Sequence, residues 1–326
     1  MNSHDLHKES IVFDAHCDTL LEVLDGKRNL AERAEKGHVD LPRLKEGGVT
    51  AQIFAIFARQ QYLPSGAAKE ALRILDTFYR ELKANEESFL LATSAADIER
   101  AKREGKVAAI LSLEGAEALE GDLGVLRMFH RLGVRNLGIT WNFRNQAADG
   151  LDEARSKGGL TNFGLELVRE LNRLGIMIDV SHLAPAGVND VLASSEAPVI
   201  ASHSNAYALC PHRRNLADEQ IQGISEKGGV IGVAFVPQFL DPDEKRASLE
   251  RVLDHIDYIV QVAGVDHVGL GSDFDGFFEF VRVPGIEDVS QMPNITFGLL
   301  ERGYNVEEVK KIMGGNFLRV FRQVVG

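Results

Sequence analysis

The sequence predicts an α/β protein built as a (β/α)8 TIM barrel, because short apolar runs alternate with longer amphipathic ones. We count eight candidate strands, at residues 11–16, 49–57, 107–113, 134–140, 175–181, 198–202, 229–235 and 268–272. Their near-continuous apolar character is typical of parallel strands covered on both faces. Eight such strands in 326 residues favour the barrel, with a doubly wound open sheet as the alternative.

Helix signals lie between these runs. Apolar residues at helical spacing predict a helix within 249–263, a second pattern ends before Gly175, and Asn305 with Glu308 forms a capping-box signature for the last helix. The segment 58–70 follows the second strand as a long loop, which we interpret as part of a lid. Linkers, repeats and low-complexity tracts are absent from the sequence, so we expect residues 1–326 to form a single barrel domain.

The composition of the chain limits the classes of protein to which it can belong. The net charge of −12 repels phosphate backbones, so we expect no nucleic-acid partner. Only two cysteines occur, Cys17 and Cys210, which fits a reducing compartment, and we interpret Cys17 as a small buried residue. The sequence has neither a secretion signal nor an apolar run of membrane-spanning length, so we expect no membrane association and a cytoplasmic location.

Polar residues follow several of the predicted strands at the point where the apolar run ends. They are His16 and Asp18, Glu114, His182, His203, and the pair Asp273 and Asp275. The carboxyl ends of barrel strands meet at one face, which is where barrel enzymes place their active sites. We therefore predict that the first five of these side chains converge on a metal site.

The residue types suit two ions. His16 and Asp18 lie on one face of an extended chain and offer nitrogen and oxygen, His182 and His203 offer two nitrogens, and the carboxylate of Glu114 is suited to bridge. Two divalent ions about 3.5–4 Å apart hold a hydroxide and polarise a carbonyl. Taken singly, a histidine at a strand end is more often structural. We assign that role to the histidines at 4, 7, 130, 255 and 267, and leave 38 and 212 open.

Two further features suit hydrolysis. Asp273 follows the last strand and is placed to take a proton from a metal-bound hydroxide, whereas Asp275 either coordinates loosely or fixes the loop. Arg213 and Arg214 follow the sixth strand and are suited to hold a substrate carboxylate. The segment that contains Gly269 and Gly271 lacks the third glycine of a dinucleotide-binding loop, so we do not interpret it as one.

Together these segments resemble the membrane (renal) dipeptidase family, the M19 peptidases of the amidohydrolase superfamily. The resemblance rests on Ser-His203-Ser-Asn-Ala-Tyr-Ala-Leu-Cys-Pro-His-Arg-Arg214-Asn, Leu-Asp-His-Ile-Asp-Tyr-Ile, Gly-Ser-Asp273-Phe-Asp-Gly and Asn316-Phe-Leu-Arg-Val-Phe, and runs from Asp14 to the C-terminus. It implies a metallo-dependent hydrolase barrel and a binuclear zinc site that cleaves dipeptides, including those with a D-residue at the C-terminal side.

The resemblance also implies roles for individual residues. His16 and Asp18 would bind one zinc ion, His182 and His203 the other, and Glu114 both. Asp273 would match the proton-handling aspartate, and Arg214 the arginine that binds the substrate's carboxylate.

One departure separates this sequence from eukaryotic members, and the chain looks like a bacterial branch of the family. The histidine that contacts the tetrahedral intermediate in those members is replaced by Trp141, followed by Asn142. The oxyanion contact therefore falls to the single indole donor of Trp141 or to Asn142.

The resulting prediction is a zinc-dependent dipeptidase in which a metal-bridged hydroxide attacks and Asp273 shuttles the proton. The alternatives are hydrolysis of a lactone, cyclic amide or phosphoester, and a non-catalytic metal-binding barrel. A homodimer is what the resemblance suggests.

Overall fold

The strands of the predicted barrel are present and close on themselves. The computed structural model describes residues 2–278 and 281–326. Its strands are β1 Phe13–Cys17, β2 Ala51–Ile56, β3 Phe89–Leu91, β4 Val107–Leu113, β5 Val134–Gly138, β6 Met177–Asp179, β7 Val199–Ala201, β8 Val230–Val233 and β9 Val268–Leu270. All their pairings are parallel, and β2 pairs with β4 while β1 pairs with β9, so eight strands form a ring. This confirms the (β/α)8 barrel over the open sheet.

The ninth strand is an addition to the ring. β3 pairs only with the first residues of β4, from Val107 to Ala109, while β5 pairs with the later residues of the same strand. Three residues give too short a period-2 pattern to stand out in a sequence, which is why β3 was not predicted.

Helices surround the strands. They are α1 Ser3–Glu9, α2 Thr19–Leu24, α3 Leu41–Glu46, α4 Ala67–Ala84, α5 Ala95–Glu104, α6 Leu123–Arg131, α7 Asn162–Leu174, α8 Pro185–Ser194, α9 Asp218–Glu226, α10 Pro237–Leu240, α11 Leu249–Ala263, α12 Met292–Glu301, α13 Val306–Lys310 and α14 Asn316–Val324. Among these described helices, none is long and apolar enough to cross a membrane.

The helix signals in the sequence have their expected physical basis. The helix predicted within 249–263 is α11, and the side chain of Ser248 caps its first turn. α7 ends at Gly175, whose φ of +69° is left-handed. Asn305 with Glu308 forms the predicted capping box, but the helix that it opens is α13 and not the last helix, α14. The loop expected at 58–70 is shorter than predicted, because a 3-10 turn forms at Gln60–Tyr62 and α4 begins at Ala67.

The last helix packs against the first and last strands of the barrel. Phe317 of α14 stacks on Phe13 of β1 with ring centroids 5.3 Å apart. A Cβ at Gly269 of β9 would lie 2.6 Å from the ring of Phe317, so only glycine allows this approach.

The two cysteines, Cys17 and Cys210, are buried free thiols.

Candidate metal centre and substrate cleft

The five side chains predicted to bind metal lie at the carboxyl ends of four different strands. His16 and Asp18 are at the end of β1, Glu114 follows β4 directly, and His182 and His203 follow β6 and β7. All five are buried, with at most 9% of any residue exposed. The register between β1 and β2 shifts between Asp14 and Cys17, an irregularity of the kind that re-aims side chains beside active sites.

Three carboxylates surround His16. Its Nε2 lies 3.3 Å from Asp18 Oδ2, 3.7 Å from Glu114 Oε2 and 3.9 Å from Asp273 Oδ1. The potential ligand atoms of His16, Asp18 and Asp273 all lie within 4.8 Å of one another, as do those of His16, Glu114 and His203. The structure thus brings Asp273 into the same cluster as the predicted ligands.

Glu114 links this group to the other two histidines. Its Oε1 lies 3.1 Å from His182 Nε2, while its Oε2 faces His16. His182 Nε2 and His203 Nε2 are 2.9 Å apart. One carboxylate oxygen therefore faces each side of the cluster, which is the arrangement that a bridging carboxylate requires.

The far nitrogen of each of these two histidines is held by a polar neighbour. His182 Nδ1 lies 2.8 Å from Asn142 Oδ1, which only accepts hydrogen bonds. His203 Nδ1 lies 2.7 Å from Ser202 Oγ, which donates its own proton to Asp179. Both imidazoles must therefore carry the proton on Nδ1, and both Nε2 lone pairs are directed into the cluster.

Burial keeps these imidazoles neutral. The pKa values of His182 and His203 are lowered well below the usual range, first by burial and then by nearby positive charge that includes Arg214. Neutral imidazole is the form that binds metal.

The pKa values of His16, Asp273 and Glu114 are shifted by burial and by the charges of neighbouring groups in the cluster. Burial lowers the pKa of His16, but the carboxylates of Glu114, Asp18 and Asp273 outweigh it and raise the value to about 10. Burial, reinforced by Asp18, raises the pKa of Asp273 to about 7 and that of Glu114 well above its ordinary value. Three buried carboxyl groups in contact are costly without a compensating cation.

The cluster has the properties of a divalent-metal site. Among the described residues, neither ring nitrogen of the buried His16 has a hydrogen-bond partner. Buried polar atoms without partners are rare and call for an explanation such as a bound ion. Imidazole nitrogens with carboxylate oxygens form a donor set that suits zinc and similar ions. The residues therefore fit the metal that the sequence predicts.

Strained backbone supports two of these side chains. His182 and Asp273 have φ values of +69° and +60°, a left-handed conformation that side chains other than glycine seldom adopt. Such strain persists only where the surroundings fix it, and it concentrates at functional sites. A Cβ at Gly271 would lie 1.7 Å from the carbonyl oxygen of Ser202, so the strand ends carrying Asp273 and His203 approach closely.

Arg214 lies beside the cluster. Only 5% of the residue is exposed, Nη2 donates to the carbonyl oxygen of His203 at 3.1 Å, and the guanidinium lies 5.4 Å from the ring of Phe239. Nε of Arg214 has no hydrogen-bond partner among the described residues. The neighbouring Arg213 differs, since it is 56% exposed in its side chain and pairs with Asp152.

A cleft of about 730 Å³ opens above these groups. Its lining includes the cluster residues Asp18, Glu114, His182 and Asp273, together with Trp141, Asn142, Arg213 and Arg214. Its volume is in the range of sites that bind small organic ligands, about 300–1,000 Å³. The cluster therefore faces a space that a small substrate can enter.

The whole chain matches one family. The sequence pattern of the membrane dipeptidase family, peptidase family M19, matches residues 1–325. This chain belongs to the membrane dipeptidase family. The expected family, barrel and class of enzyme, a metallo-dipeptidase, are thereby confirmed.

Individual relatives agree with this membership. "Dipeptidase tcpJ" of Claviceps purpurea is 37% identical over 297 residues, 88% of this chain and 69% of that protein. "Dipeptidase aclJ" of Aspergillus oryzae is 37% identical over 298 residues, 88% of this chain and 70% of that protein. A metallo peptidase of Rhodobacter sphaeroides, crystallised with a phosphinate mimic of the dipeptide L-Ala-D-Ala, is 33% identical, with a TM-score of 0.89 over 97% of this chain and 100% of its own.

Asp275 has a place in this M19 chain that differs from that of Asp273. Its carboxylate accepts hydrogen bonds from Thr19 Oγ1 at 2.7 Å and from the backbone of His38 at 2.7 Å, and it pairs with Arg28. Burial alone would raise the pKa of Asp275, but His38 and Arg28 lower it to about 2. Asp275 thus ties the loop after β9 to the segment after α2, and His38, left open from the sequence, belongs to this structural network.

Trp141 and Asn142 follow β5 and both line the cleft of this M19 enzyme. The ring centroids of Trp141 and His182 are 5.9 Å apart, and Asn142 forms a hydrogen bond with the same histidine. Both residues thus contact a predicted metal ligand, and their contact with substrate stays a prediction.

Two supporting residues were not singled out from the sequence. Asp179 accepts hydrogen bonds from the backbone N–H groups of Ser181 and Ser202, both at 2.9 Å, and Ser202 in turn holds His203. The signal was present, because Asp179 is a charged residue inside the apolar run Met-Ile-Asp-Val that precedes His182. A buried charge in a barrel strand requires partners.

Proposed function

We propose that this enzyme is a zinc-dependent peptidase for free dipeptides, including those with an L-residue followed by a D-residue. The observation that carries the proposal is Arg214, a buried guanidinium with an unpartnered Nε at the edge of a cleft that also contains the metal ligands. A buried arginine beside a substrate site is suited to a carboxylate, because its donors match the two oxygens.

Groups of both charges line the cleft, which suits a zwitterion. Asp18 and Asp273 lie at the ends of β1 and β9, whereas Arg213 and Arg214 lie beyond β7. A dipeptide has a free ammonium group and a free carboxylate only a few bonds from its single peptide bond. Electrostatic complementarity of this kind selects orientation and partner. A dipeptide with its carboxylate at Arg214 would place its peptide bond over the metal ligands.

We assign the metal ligands as follows. His16 and Asp18 would hold one ion, His182 and His203 the other, and Glu114 both. When bound, two such ions polarise the scissile carbonyl and make water a nucleophile at neutral pH.

Asp273 is suited to the proton transfers. Its pKa, raised to about 7 by burial and Asp18, lets it accept a proton from the attacking water and return it to the leaving amine. Trp141 and Asn142 line the cleft and are our candidates for contact with the substrate's carbonyl oxygen. The Rhodobacter relative's L-Ala-D-Ala mimic supports the inclusion of L,D-dipeptides.

The test is amino-acid release from matched L,L- and L,D-dipeptides. Each is assayed with the purified enzyme, after chelation, and after zinc is restored, with the metal content measured at each stage. We expect chelation to abolish cleavage and zinc to restore it at two ions per chain. The C-terminal amides serve as controls and should be poor substrates, because they lack the carboxylate. No release from an enzyme with two zinc ions per chain would contradict the proposal.

A further inference from the structure

The order of strands places one wall of the cleft opposite Arg214. Around the ring the order is β1, β2, β4, β5, β6, β7, β8 and β9. Arg214 belongs to the connection between β7 and β8, so the ends of β2 and β4 lie across the barrel from it. If the carboxylate of a dipeptide lies at Arg214 and its peptide bond over the metal ligands, its amino-terminal side chain extends toward β2 and its neighbours. This step rests on the proposed function.

An aromatic surface occupies that side of the cleft. Phe57 directly follows β2, and Trp141 follows β5; their ring centroids are 5.1 Å apart, with planes at 52°. The ring centroids of Phe143 and Trp141 are also 5.1 Å apart. We call Phe57 and Trp141 the aromatic wall. Both are half-buried and line the substrate cleft.

The aromatic wall also borders a second recess. A space of about 540 Å³ is lined by Phe57, Arg59, Gln60, Gln61 and Trp141. A large side chain that reaches the wall therefore has room to extend along it.

The positive charge of Arg59, which lines this recess, is already neutralised by two carboxylates. The guanidinium of Arg59 pairs with Asp25 at 2.8 Å and with Glu70 at 2.5 Å. Arg59 therefore attracts an acidic substrate side chain only weakly. Among the described residues that line the recess there is no carboxylate to bind a basic substrate side chain. An aromatic side chain of a substrate would be stabilised at the wall by the apolar surface that becomes buried and by edge-to-face contact between the rings.

We infer that the aromatic wall is the specificity site for the amino-terminal residue, and that the enzyme prefers dipeptides whose first residue is aromatic or large and aliphatic.

The test compares kcat/KM for a series Xaa-D-Ala, with Xaa as L-Ala, L-Leu, L-Phe, L-Asp and L-Lys. We expect Phe and Leu to exceed Ala by about tenfold or more, as one or two buried methylenes already give this discrimination. Asp and Lys should fall below Ala. The reversed series, L-Ala followed by D-Ala, D-Leu or D-Phe, should show a weaker dependence on side-chain size.

Variants locate the preference. Trp141→Ala and Phe57→Ala are made separately, so that loss of one protein to misfolding leaves the other. Each should bring the Phe-to-Ala ratio close to one. Phe57→Ala should do so with unchanged metal content, whereas Trp141→Ala, which also removes a candidate contact to the substrate's carbonyl oxygen, is judged by this ratio and not by its rate on Ala-D-Ala. Phe297→Ala removes an aromatic ring that is 54% exposed on α12, and should keep the wild-type ratio.

The outcomes separate this inference from the proposed function. An enzyme that cleaves the whole series at similar rates is a dipeptidase without this specificity site, which overturns the inference alone. A preference that survives both variants, or that appears only in the reversed series, also overturns it. An enzyme that cleaves no member with zinc bound overturns the dipeptidase proposal and the inference together.

Discussion

Asn142 Oδ1 lies 2.8 Å from Nδ1 of His182, on the side of the imidazole opposite the carboxylate of Glu114. The amide oxygen accepts a hydrogen bond from the Nδ1–H group, so the lone pair of Nε2 is left for a metal. Contacts of this kind fix the tautomer and the ring orientation of a ligand, and their loss typically costs ten- to a hundredfold in metal affinity or activity.

We therefore expect Asn142→Ala to weaken the binding of one of two zinc ions by about ten- to a hundredfold. Asn142→Asp keeps an acceptor oxygen and should retain most of the affinity. Competition with a chromophoric chelator measures the affinity directly, without reference to catalysis. Asn162→Ala, at an exposed residue that begins α7, is the matched control. If Asn142→Ala bound both ions as tightly as the wild type, Asn142 would not position His182.

The contrast between two adjacent arginines gives a second prediction. Arg214 is buried with an unpartnered Nε, whereas Arg213 is largely exposed and pairs with Asp152. Arg214→Ala should lower kcat/KM for a free dipeptide by about a hundredfold, mainly through KM, since losing one partner of a buried charge pair costs about 2–5 kcal/mol. Arg213→Ala should lower it much less.

The C-terminal amide of the same dipeptide completes this comparison. It should be a poor substrate for the wild type and should lose little further in Arg214→Ala. Equal losses for the free acid and the amide would show that Arg214 supports the fold of the site and does not bind the carboxylate.

The polar residues at strand ends were the part of the site that the sequence could predict. His16, Asp18, Glu114, His182 and His203 each follow an apolar run, and a barrel brings the ends of all its strands to one face. Their convergence thus follows from local patterns and one rule of topology.

The supporting contacts could not be predicted in the same way. The bond between Asn142 and His182 and the chain from Asp179 through Ser202 to His203 depend on loop conformations and on distances between strands. The spacing of residues along the sequence gives no information on loop conformations or on distances between strands. The cytoplasmic location and the homodimer likewise stay predictions.

Asp273 gives the third prediction, because two roles are open to it. Its Oδ1 lies 3.9 Å from His16 Nε2, within a group of possible ligands, and burial raises its pKa to about 7. If Asp273 transfers protons, Asp273→Asn should lower kcat by about 10²–10⁴-fold while zinc content and dipeptide affinity stay at wild-type levels. Metal analysis and calorimetric titration with a dipeptide check the two parts. A loss of zinc in step with activity would instead make Asp273 a ligand.

The fourth prediction concerns stability and pH. Glu117 is 8% exposed, and its Oε1 accepts a hydrogen bond from the backbone N–H of Trp141 at 3.4 Å. Burial raises the pKa of Glu117 from 4.5 to about 7. The folded state therefore binds this proton more tightly than the unfolded state does. The resulting stability is fully present below pH 4.5 and is lost as the pH rises to about 7.

Glu117→Gln removes this titration while keeping the shape of the side chain. Between pH 4 and 7.5, the free energy of unfolding of the wild type should fall relative to that of the variant by about 3 kcal/mol. Urea unfolding of both proteins at each pH, with equal metal content, gives this difference, because contributions from other groups cancel. Glu166→Gln, at an exposed position on α7, should run parallel to the wild type. Parallel curves for Glu117→Gln as well would mean that the carboxyl of Glu117 titrates alike in the folded and unfolded chains.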